Sequence, residues 1–230
     1  MIDVRPFEGL GAFRNEWLDA RHHFSFAAYH DPARMGFGAL RVWNDDAIAP
    51  GTGFDPHPHR EMEIITYVRE GAITHRDSLG NEGRTTAGDI QVMHAGTGIV
   101  HAEYNRETTP TRLFQIWIRP DQARAAPGWA TRRFPRSGVA VLADGREGRD
   151  ESALPLYADA SFAAGTLGIG ETHIMTPGAG RVVYLVASRG TLTVNGIAAP
   201  ERAGIAISDE ERVEIAATSA AELVYVNVRA

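Results

Sequence analysis

Residues 53–71 read GFDPHPHREMEIITYVREG, and this stretch says more about the fold than any other in the chain. Its second half, residues 63–68, is rich in β-branched and aromatic side chains, as is typical of a buried strand. Its first half contains His57-Pro58-His59, and side chains at i and i+2 of a strand point to the same face. The stretch therefore predicts two successive strands, the first of which carries two imidazoles side by side.

A second segment with the same spacing, His101-Ala102-Glu103, follows later in the chain. If the two strands lie next to each other, three imidazoles and one carboxylate point to a common centre. A single His-x-His pair is usually a surface feature without function, whereas two matched pairs in one β-rich chain favour a metal site. Imidazole and carboxylate ligands suit iron, manganese, nickel or copper, and zinc less exclusively.

The spacing leaves open which acidic side chain completes this site. Glu61 and Glu63 have the same parity as the histidines, so both share their face if the strand continues without a break. Glu103 is the alternative. Two further histidines are candidates to contact the ligands from behind. One is His94, which precedes the loop to His101. The other is His75, which lies on a hairpin arm and could equally be an exposed surface residue.

Composition excludes several other kinds of chemistry. The 230 residues include no cysteine, which rules out disulfides, thiolate metal sites and cysteine nucleophiles. All 23 basic residues are arginine, so Schiff-base chemistry and a phosphate-loop lysine are also excluded. The net charge of −6 argues against direct binding to nucleic acid, which requires a basic face. Without a membrane-spanning apolar run or an apolar signal core, we expect a cytoplasmic protein that does not contact membranes.

The rest of the chain predicts an all-β protein. Short strand-like segments alternate with Gly, Asn, Asp and Pro, and Gly80-Asn81 and Asn195-Gly196 are typical hairpin turns. Residues 67–74 resemble residues 184–193, so one β unit is expected twice. Between these repeats the chain is rich in Pro, Gly, Arg and Asp, and we predict two domains, residues 1–133 and 134–230. Short helices are expected only near residues 14–19 and 121–126.

These segments resemble the two sequence motifs of the cupins. The first motif corresponds to Gly53, His57, His59, Glu63 and Gly71, and the second to Gly88, His94, Gly96, His101 and Asn105. The lead from the first glycine is shorter than in most cupins, and two extra residues precede the last histidine. Both departures are typical of one cupin family, the pirins, as are Phe24-Ser-Phe26 and Arg41-Val-Trp-Asn-Asp-Asp46. The likeness is dense over residues 15–120 and loose over residues 150–230.

The resemblance implies a bicupin, with two β-barrel domains of the jelly-roll (cupin) type in one chain and no metal in the second. It implies one divalent transition metal, most often Fe(II), with Cu, Mn, Ni, Co and Zn as alternatives. The ligands it implies are His57, His59, His101 and Glu103. Glu63, the ligand of ordinary cupins, then has a supporting role.

The resemblance also implies an activity. Bacterial pirins resemble quercetin 2,3-dioxygenases, which open the ring of flavonols with O2 and release carbon monoxide. The expected partners are therefore a small aromatic substrate and O2, with Glu103 as the base that takes the proton of the flavonol 3-hydroxyl. The alternative is an iron-dependent redox sensor that binds a protein partner, as eukaryotic pirins do. A structural zinc site fits less well, because such sites are usually closed and rich in cysteine.

Overall fold

The computed structural model describes residues 1–133, 138–148 and 151–230, and its regular structure is almost entirely β. Two short 3-10 helices, Phe7–Gly9 and Pro32–Arg34, are the helical segments of the described residues. No helix among those residues is both long and apolar enough to cross a membrane. The prediction of an all-β protein is confirmed.

The strands of the first half are β1 (Ile2–Arg5), β2 (Gly11–Arg14), β3 (Leu18–His22), β4 (Leu40–Ile48), β5 (Gly53–His59), β6 (Glu63–Glu70), β7 (Ala72–Asp77), β8 (Glu82–Thr86), β9 (Ile90–His94), β10 (Ile99–Tyr104), β11 (Thr111–Ile118) and β12 (Gly128–Arg132). Those of the second half are β13 (Gly138–Asp144), β14 (Leu154–Pro155), β15 (Ala160–Leu167), β16 (Thr172–Met175), β17 (Arg181–Arg189), β18 (Leu192–Val194), β19 (Ile197–Ala199), β20 (Gly204–Ile207), β21 (Val213–Ala217) and β22 (Ala221–Arg229).

The two predicted helices are wrong. Residues 15–17 form the turn between β2 and β3, because the Asn15 side chain accepts hydrogen bonds from the backbone N–H groups of Trp17 and Leu18, at 3.0 and 2.8 Å. An asparagine that binds its own following backbone in this way favours a turn over a helix. Residues 121–124 are bends and turns. The two predicted hairpin turns are confirmed: β7 and β8 pair across the first, and β18 and β19 across the second.

Each half forms a barrel from a large and a small sheet, with the same strand order. In the first half the orders are β12-β9-β6-β11-β4-β3-β2 and β5-β10-β7-β8. In the second half they are β1-β20-β17-β22-β15-β13-β14 and β16-β21-β18-β19. Strands β4–β11 and β15–β22 therefore repeat one pattern, which confirms the predicted internal repeat.

The chain crosses between the halves at its beginning. Strand β1 lies in the large sheet of the second half, where Ile2 is opposite Ile207 of β20. The predicted boundary between residues 133 and 134 adjoins residues 134–137, which lie outside the described residues. The limits of the two domains stay a prediction.

A shared hydrophobic core joins the two halves. Large side chains from both big sheets meet there, among them Trp43, Phe114, Phe162 and Tyr184, none more than 1% exposed. Burial of apolar surface contributes about 25 cal/mol per Å². The carboxylate of Asp45, which has no exposed surface, accepts hydrogen bonds from Arg69 of its own half and Arg202 of the other. The halves are thus held as one body, with the barrel interiors facing away from the shared core.

Candidate metal centre

The three predicted imidazoles meet in the first barrel. Strands β5 and β10 are antiparallel neighbours, and His101 lies directly opposite His57. One ring nitrogen each of His57, His59 and His101 lies within 4.8 Å of the others. The ring centres of His57 and His101 are 4.5 Å apart. The i and i+2 spacing therefore brings these side chains together as expected.

Gly53 allows β5 to approach β10 this closely. A Cβ atom at this position would lie 2.1 Å from the backbone oxygen of Glu103, far inside van der Waals contact. Strand β5 also lies at the edge of its sheet, where the missing N–H of Pro58 leaves no ladder hydrogen bond unmade. Local sequence thus positions the first two histidines beside the third.

The protonation of the histidines fits a metal ion. The Nδ1 of His57 is 2.7 Å from the carbonyl oxygen of Asp55, so Nδ1 carries the proton and Nε2 is left as a lone pair. The Nε2 atoms of His59 and His101 are buried without a protein partner. Burial, reinforced by the neighbouring histidines, lowers the pKa of His59 to about 4 and that of His101 to about 3. Near neutral pH these two rings are uncharged, as metal binding requires.

Glu103 lies on β10, two residues after His101, and is 1% exposed. It is not a member of the group formed by His57, His59 and His101. Its Oε1 accepts a hydrogen bond from the Gln91 side chain at 2.6 Å, and its Oε2 one from Gln115 at 2.7 Å. Burial raises its pKa, while nearby His75 and His57 partly oppose that rise. An oxygen of Glu103 lies within 4.8 Å of ring nitrogens of His75 and His101. A carboxylate oxygen can accept more than one bond, so Glu103 can also ligate a metal.

Glu63 and His94 contact each other and not the three histidines. Glu63 therefore does not take the supporting role that the resemblance implies, and the candidate His94 does not contact the site. Glu61 adopts a φ of +48°, and the chain leaves β5 at His59 to begin β6 at Glu63, so the alternation does not continue. Glu63 faces the contact between the halves. There its Oε2 lies 2.6 Å from Nδ1 of His94 and accepts the backbone N–H of Tyr157 at 3.0 Å.

His75 is the side chain that contacts the triad from behind. It is fully buried on β7, with its Nδ1 3.4 Å from Nδ1 of His101 and its Nε2 3.0 Å from Oδ2 of Asp77. Burial alone would raise the pKa of Asp77, but hydrogen bonds from His75 and Asn81 outweigh this effect and lower it. The alternation on β7 could have indicated that His75 points inward, because Ile73, two residues earlier, is a core residue, but not that it contacts His101.

Half-buried aromatic side chains border the histidines. The ring of Trp117 packs edge-on against His59, with ring centres 4.9 Å apart, and its indole N–H donates to Gln115 at 3.2 Å. Phe54 lies beside His57 at 6.2 Å. Phe54 belongs to a segment that resembles the pirins, but no motif assigned either aromatic side chain to the site, since aromatic side chains in strands are more often core.

The second barrel shows that the polar interior of the first is specific to it. In the first barrel Thr66 lies opposite Gln91 and Gln115; in the second the matching register places Leu185 opposite Ile205 and Tyr225. On the strands that match β5, β7 and β10, the second barrel carries buried Met175, Val194, Val213 and Ile215. The two groups of described residues that could hold a metal both lie in the first barrel.

Comparison with known proteins agrees with this geometry. A family model described as Pirin matches residues 4–118. The chain belongs to the pirin family. A second family model, the quercetinase C-terminal cupin domain, matches residues 143–228 of this pirin.

Similar proteins cover the whole chain. A pirin-like protein of Caulobacter vibrioides is 54% identical over 230 residues, covering 99% of both chains. A quercetin 2,3-dioxygenase of Escherichia coli is 42% identical over 224 residues, covering 97% of this pirin and 96% of that protein. The crystal structure of the bacterial pirin YhhW from Escherichia coli in complex with nickel(II) superimposes with a TM-score of 0.94 at 40% identity, covering 100% and 99% of the two chains. The predicted family and its fold of two cupin domains are confirmed.

Proposed function

We propose that this pirin is a metal-dependent dioxygenase that opens the ring of quercetin-like flavonols with O2 and releases carbon monoxide. The proposed ligands are His57, His59, His101 and Glu103, and the proposed metal is Fe(II). The observation that carries the proposal is the pair of buried Nε2 atoms without a protein partner, beside a buried carboxylate. A relative that is 42% identical bears the name quercetin 2,3-dioxygenase, and a bacterial pirin of the same fold binds nickel(II).

A divalent transition metal would supply Lewis acidity and a template that holds a substrate oxygen beside O2. The protein would supply the base. Burial raises the pKa of Glu103 in the metal-free protein, whereas the charge of a bound cation would lower it. We propose that Glu103 takes the proton of the flavonol 3-hydroxyl. Gln91 and Gln115 hold that carboxylate by one amide N–H each, which keeps it in position before and after it accepts the proton.

The border of the site suits a flat aromatic ligand. Trp117 and Phe54 place rings beside His59 and His57, and aromatic rings stack on planar substrates in offset or edge-to-face arrangements. Metal, base and aromatic border would then act on one enolic ring. The same aromatic border would also accommodate other enolic phenols. These compounds should therefore be tested as substrates beside quercetin.

The test is oxygen uptake with quercetin, using protein reconstituted anaerobically with Fe(II) and analysed for ring-opened product and carbon monoxide. Wild type is expected to turn over, and His57→Ala to lose turnover. His101→Ala is expected to lose most of the bound metal, since it removes a central ligand. His30→Ala, a change at an exposed histidine outside the site, is the matched control and should retain both metal and turnover.

Two results would contradict the proposal. Full metal content in His101→Ala would exclude the four-ligand site. Stoichiometric metal in wild type without turnover of quercetin or other enolic phenols would exclude the dioxygenase and favour the redox sensor. The next experiment would then compare protein partners bound by the Fe(II) and Fe(III) forms.

A further inference from the structure

We propose that Asp77 and His75 act as positioning residues that fix the proton of His101 on Nδ1 and so keep its Nε2 free for the metal. The three side chains are connected in series by hydrogen bonds, from Asp77 through His75 to His101. This inference rests on the proposed metal site, but its central claim concerns the protein before any metal binds.

This series of hydrogen bonds begins at the carboxylate of Asp77, which is the acceptor in each of them. Oδ1 of Asp77 accepts the backbone N–H groups of Leu79 and Asn81, at 2.9 and 3.1 Å. Its Oδ2 accepts the side-chain amide of Asn81 at 2.9 Å and faces Nε2 of His75 at 3.0 Å. An ionised carboxylate only accepts hydrogen bonds, so Nε2 of His75 must carry a proton.

The tautomer of His101 follows from that of His75. A neutral imidazole has one N–H and one bare nitrogen, so a proton on Nε2 of His75 leaves its Nδ1 as an acceptor. That acceptor lies 3.4 Å from Nδ1 of His101. The favourable partner is an N–H, which places the proton of His101 on Nδ1. The Nε2 atom of His101 then carries no proton and has a free lone pair. It is the buried atom that has no protein partner.

The surroundings hold this arrangement in place. The rings of His75 and Trp129 are stacked, with centres 4.8 Å apart and planes inclined by 8°. Neither His75 nor Asp77 has side-chain surface in contact with solvent, so no bulk water is available as an alternative partner. His75 is opposite Glu103 in the first barrel. In the second barrel Val194 takes the place of His75, opposite Ile215, and its side chain cannot form hydrogen bonds.

The functional consequence is a ligand prepared in advance. Partners of metal-bound histidines that fix the tautomer typically change metal affinity by 10- to 100-fold when they are mutated. Here the partner is itself a histidine, oriented by a carboxylate one step further from the metal. Loss of the hydrogen bonds between Asp77, His75 and His101 should therefore weaken metal binding without removing a ligand.

Asp77→Asn is the sharpest variant. The two backbone N–H groups at Oδ1 hold the amide oxygen at that position, so the new NH2 group faces Nε2 of His75 and donates where the carboxylate accepted. His75 must then carry its proton on Nδ1, opposite Nδ1 of His101. We expect a loss of metal affinity of about 10- to 100-fold, measured by competition with a chelator using Fe(II), or Ni(II) in air.

The direct readout is the histidine tautomer in metal-free protein, from two-bond ¹⁵N–¹H correlations of the rings. Wild type should show His75 as the Nε2–H form and His101 as the Nδ1–H form, and Asp77→Asn should invert His75. Glu82→Gln is the matched control: it removes a carboxylate from the same hairpin, but one that is exposed and paired with Arg76, and it should change neither readout.

The proposal is overturned if wild-type His75 carries its proton on Nδ1, or if Asp77→Asn binds metal as tightly as wild type. If Asp77→Asn does not fold, His75→Phe keeps a ring against Trp129, removes the acceptor and is expected to show the same loss of affinity. Failure of the proposed function is distinguishable, because a wild type that binds metal without turnover leaves both tests intact.

Discussion

Two glutamates of this pirin show how position decides the role of a residue. Glu103 and Glu63 are both buried, and both belong to the segments that carry the metal motifs. Glu103 is held by two glutamine amides beside the histidines, whereas Glu63 binds His94 and the backbone of Tyr157 at the contact between the halves. Glu103 of the small sheet therefore points into the first barrel, whereas Glu63 of the large sheet points towards the second half.

The conservative substitution Glu103→Gln should separate these roles. It keeps the volume of the side chain but replaces the carboxylate of a proposed ligand with a neutral amide, so we expect metal affinity to fall at least 10-fold, as even changes to the partners of ligands cost 10- to 100-fold. The measurement is metal affinity by chelator competition. Unchanged affinity in this variant would contradict the assignment of Glu103 as a ligand.

Glu63→Gln is the matched control for that experiment. It should leave metal affinity within the error of wild type, because Glu63 points away from the site. It should instead lower the free energy of unfolding by about 1.5–3 kcal/mol, the usual contribution of a hydrogen bond to a charged group. The opposite result, loss of metal with unchanged stability, would indicate that Glu63 is a metal ligand, as in ordinary cupins.

At the scale of the element, the site depends on how closely β5 lies to β10. Gly53→Ala places a Cβ 2.1 Å from a backbone oxygen of β10, and neither strand can move without disturbing its ladder. We expect a loss of about 1–3 kcal/mol of stability, as for other overpacked positions, together with weaker metal binding, because His57 moves away from His101. Chemical denaturation and chelator competition measure the two effects.

Gly9→Ala is the control, since no atom lies within 4 Å of a Cβ built there. Its stability and metal affinity should both match those of wild type. If Gly53→Ala behaves in the same way, the close approach of the two strands does not determine the site.

Strand alternation explains both what the sequence predicts and what it misses. Parity within β5 and within β10 is a local property, so the meeting of His57, His59 and His101 could be predicted. Parity failed between His59 and Glu63, because it holds only while the backbone stays extended and Glu61 adopts a positive φ. The role of His75 depends on β7 pairing with β10, a contact between strands that alternation within one strand does not specify.

At the scale of the whole molecule, the two halves share a fold but differ in what fills each barrel. One interior carries glutamines, histidines and a glutamate, and the other carries mainly aliphatic side chains. The repeat was visible in the sequence, but the contribution of β1 to the second sheet was not, because strand partners distant in sequence leave no local pattern. The shared core makes the stability of each half depend on the other.

A histidine in this shared core should make the whole molecule sensitive to acid. His23 is fully buried, with its Nδ1 2.9 Å from the hydroxyl of Tyr184 and its Nε2 without a partner. Burial, with the charge of Arg202 as the next cause, lowers its pKa from 6.5 to about 3. Between these two values the unfolded chain binds a proton that the folded protein does not. The free energy of unfolding therefore falls as the pH falls, by about 1.4 kcal/mol per pH unit from this group.

His23→Gln should remove that contribution. Urea denaturation of metal-free protein between pH 7 and pH 4.5 is expected to show a shallower loss of stability in the variant, whatever its stability at pH 7. The remaining residues are the same in both proteins, so the difference between the two slopes reports His23 together with its coupling to His22. The exposed His30, changed to Gln, should leave the wild-type slope unaltered. Equal slopes for wild type and His23→Gln would mean that His23 is protonated in the folded protein, and that the contact between the halves admits a charge.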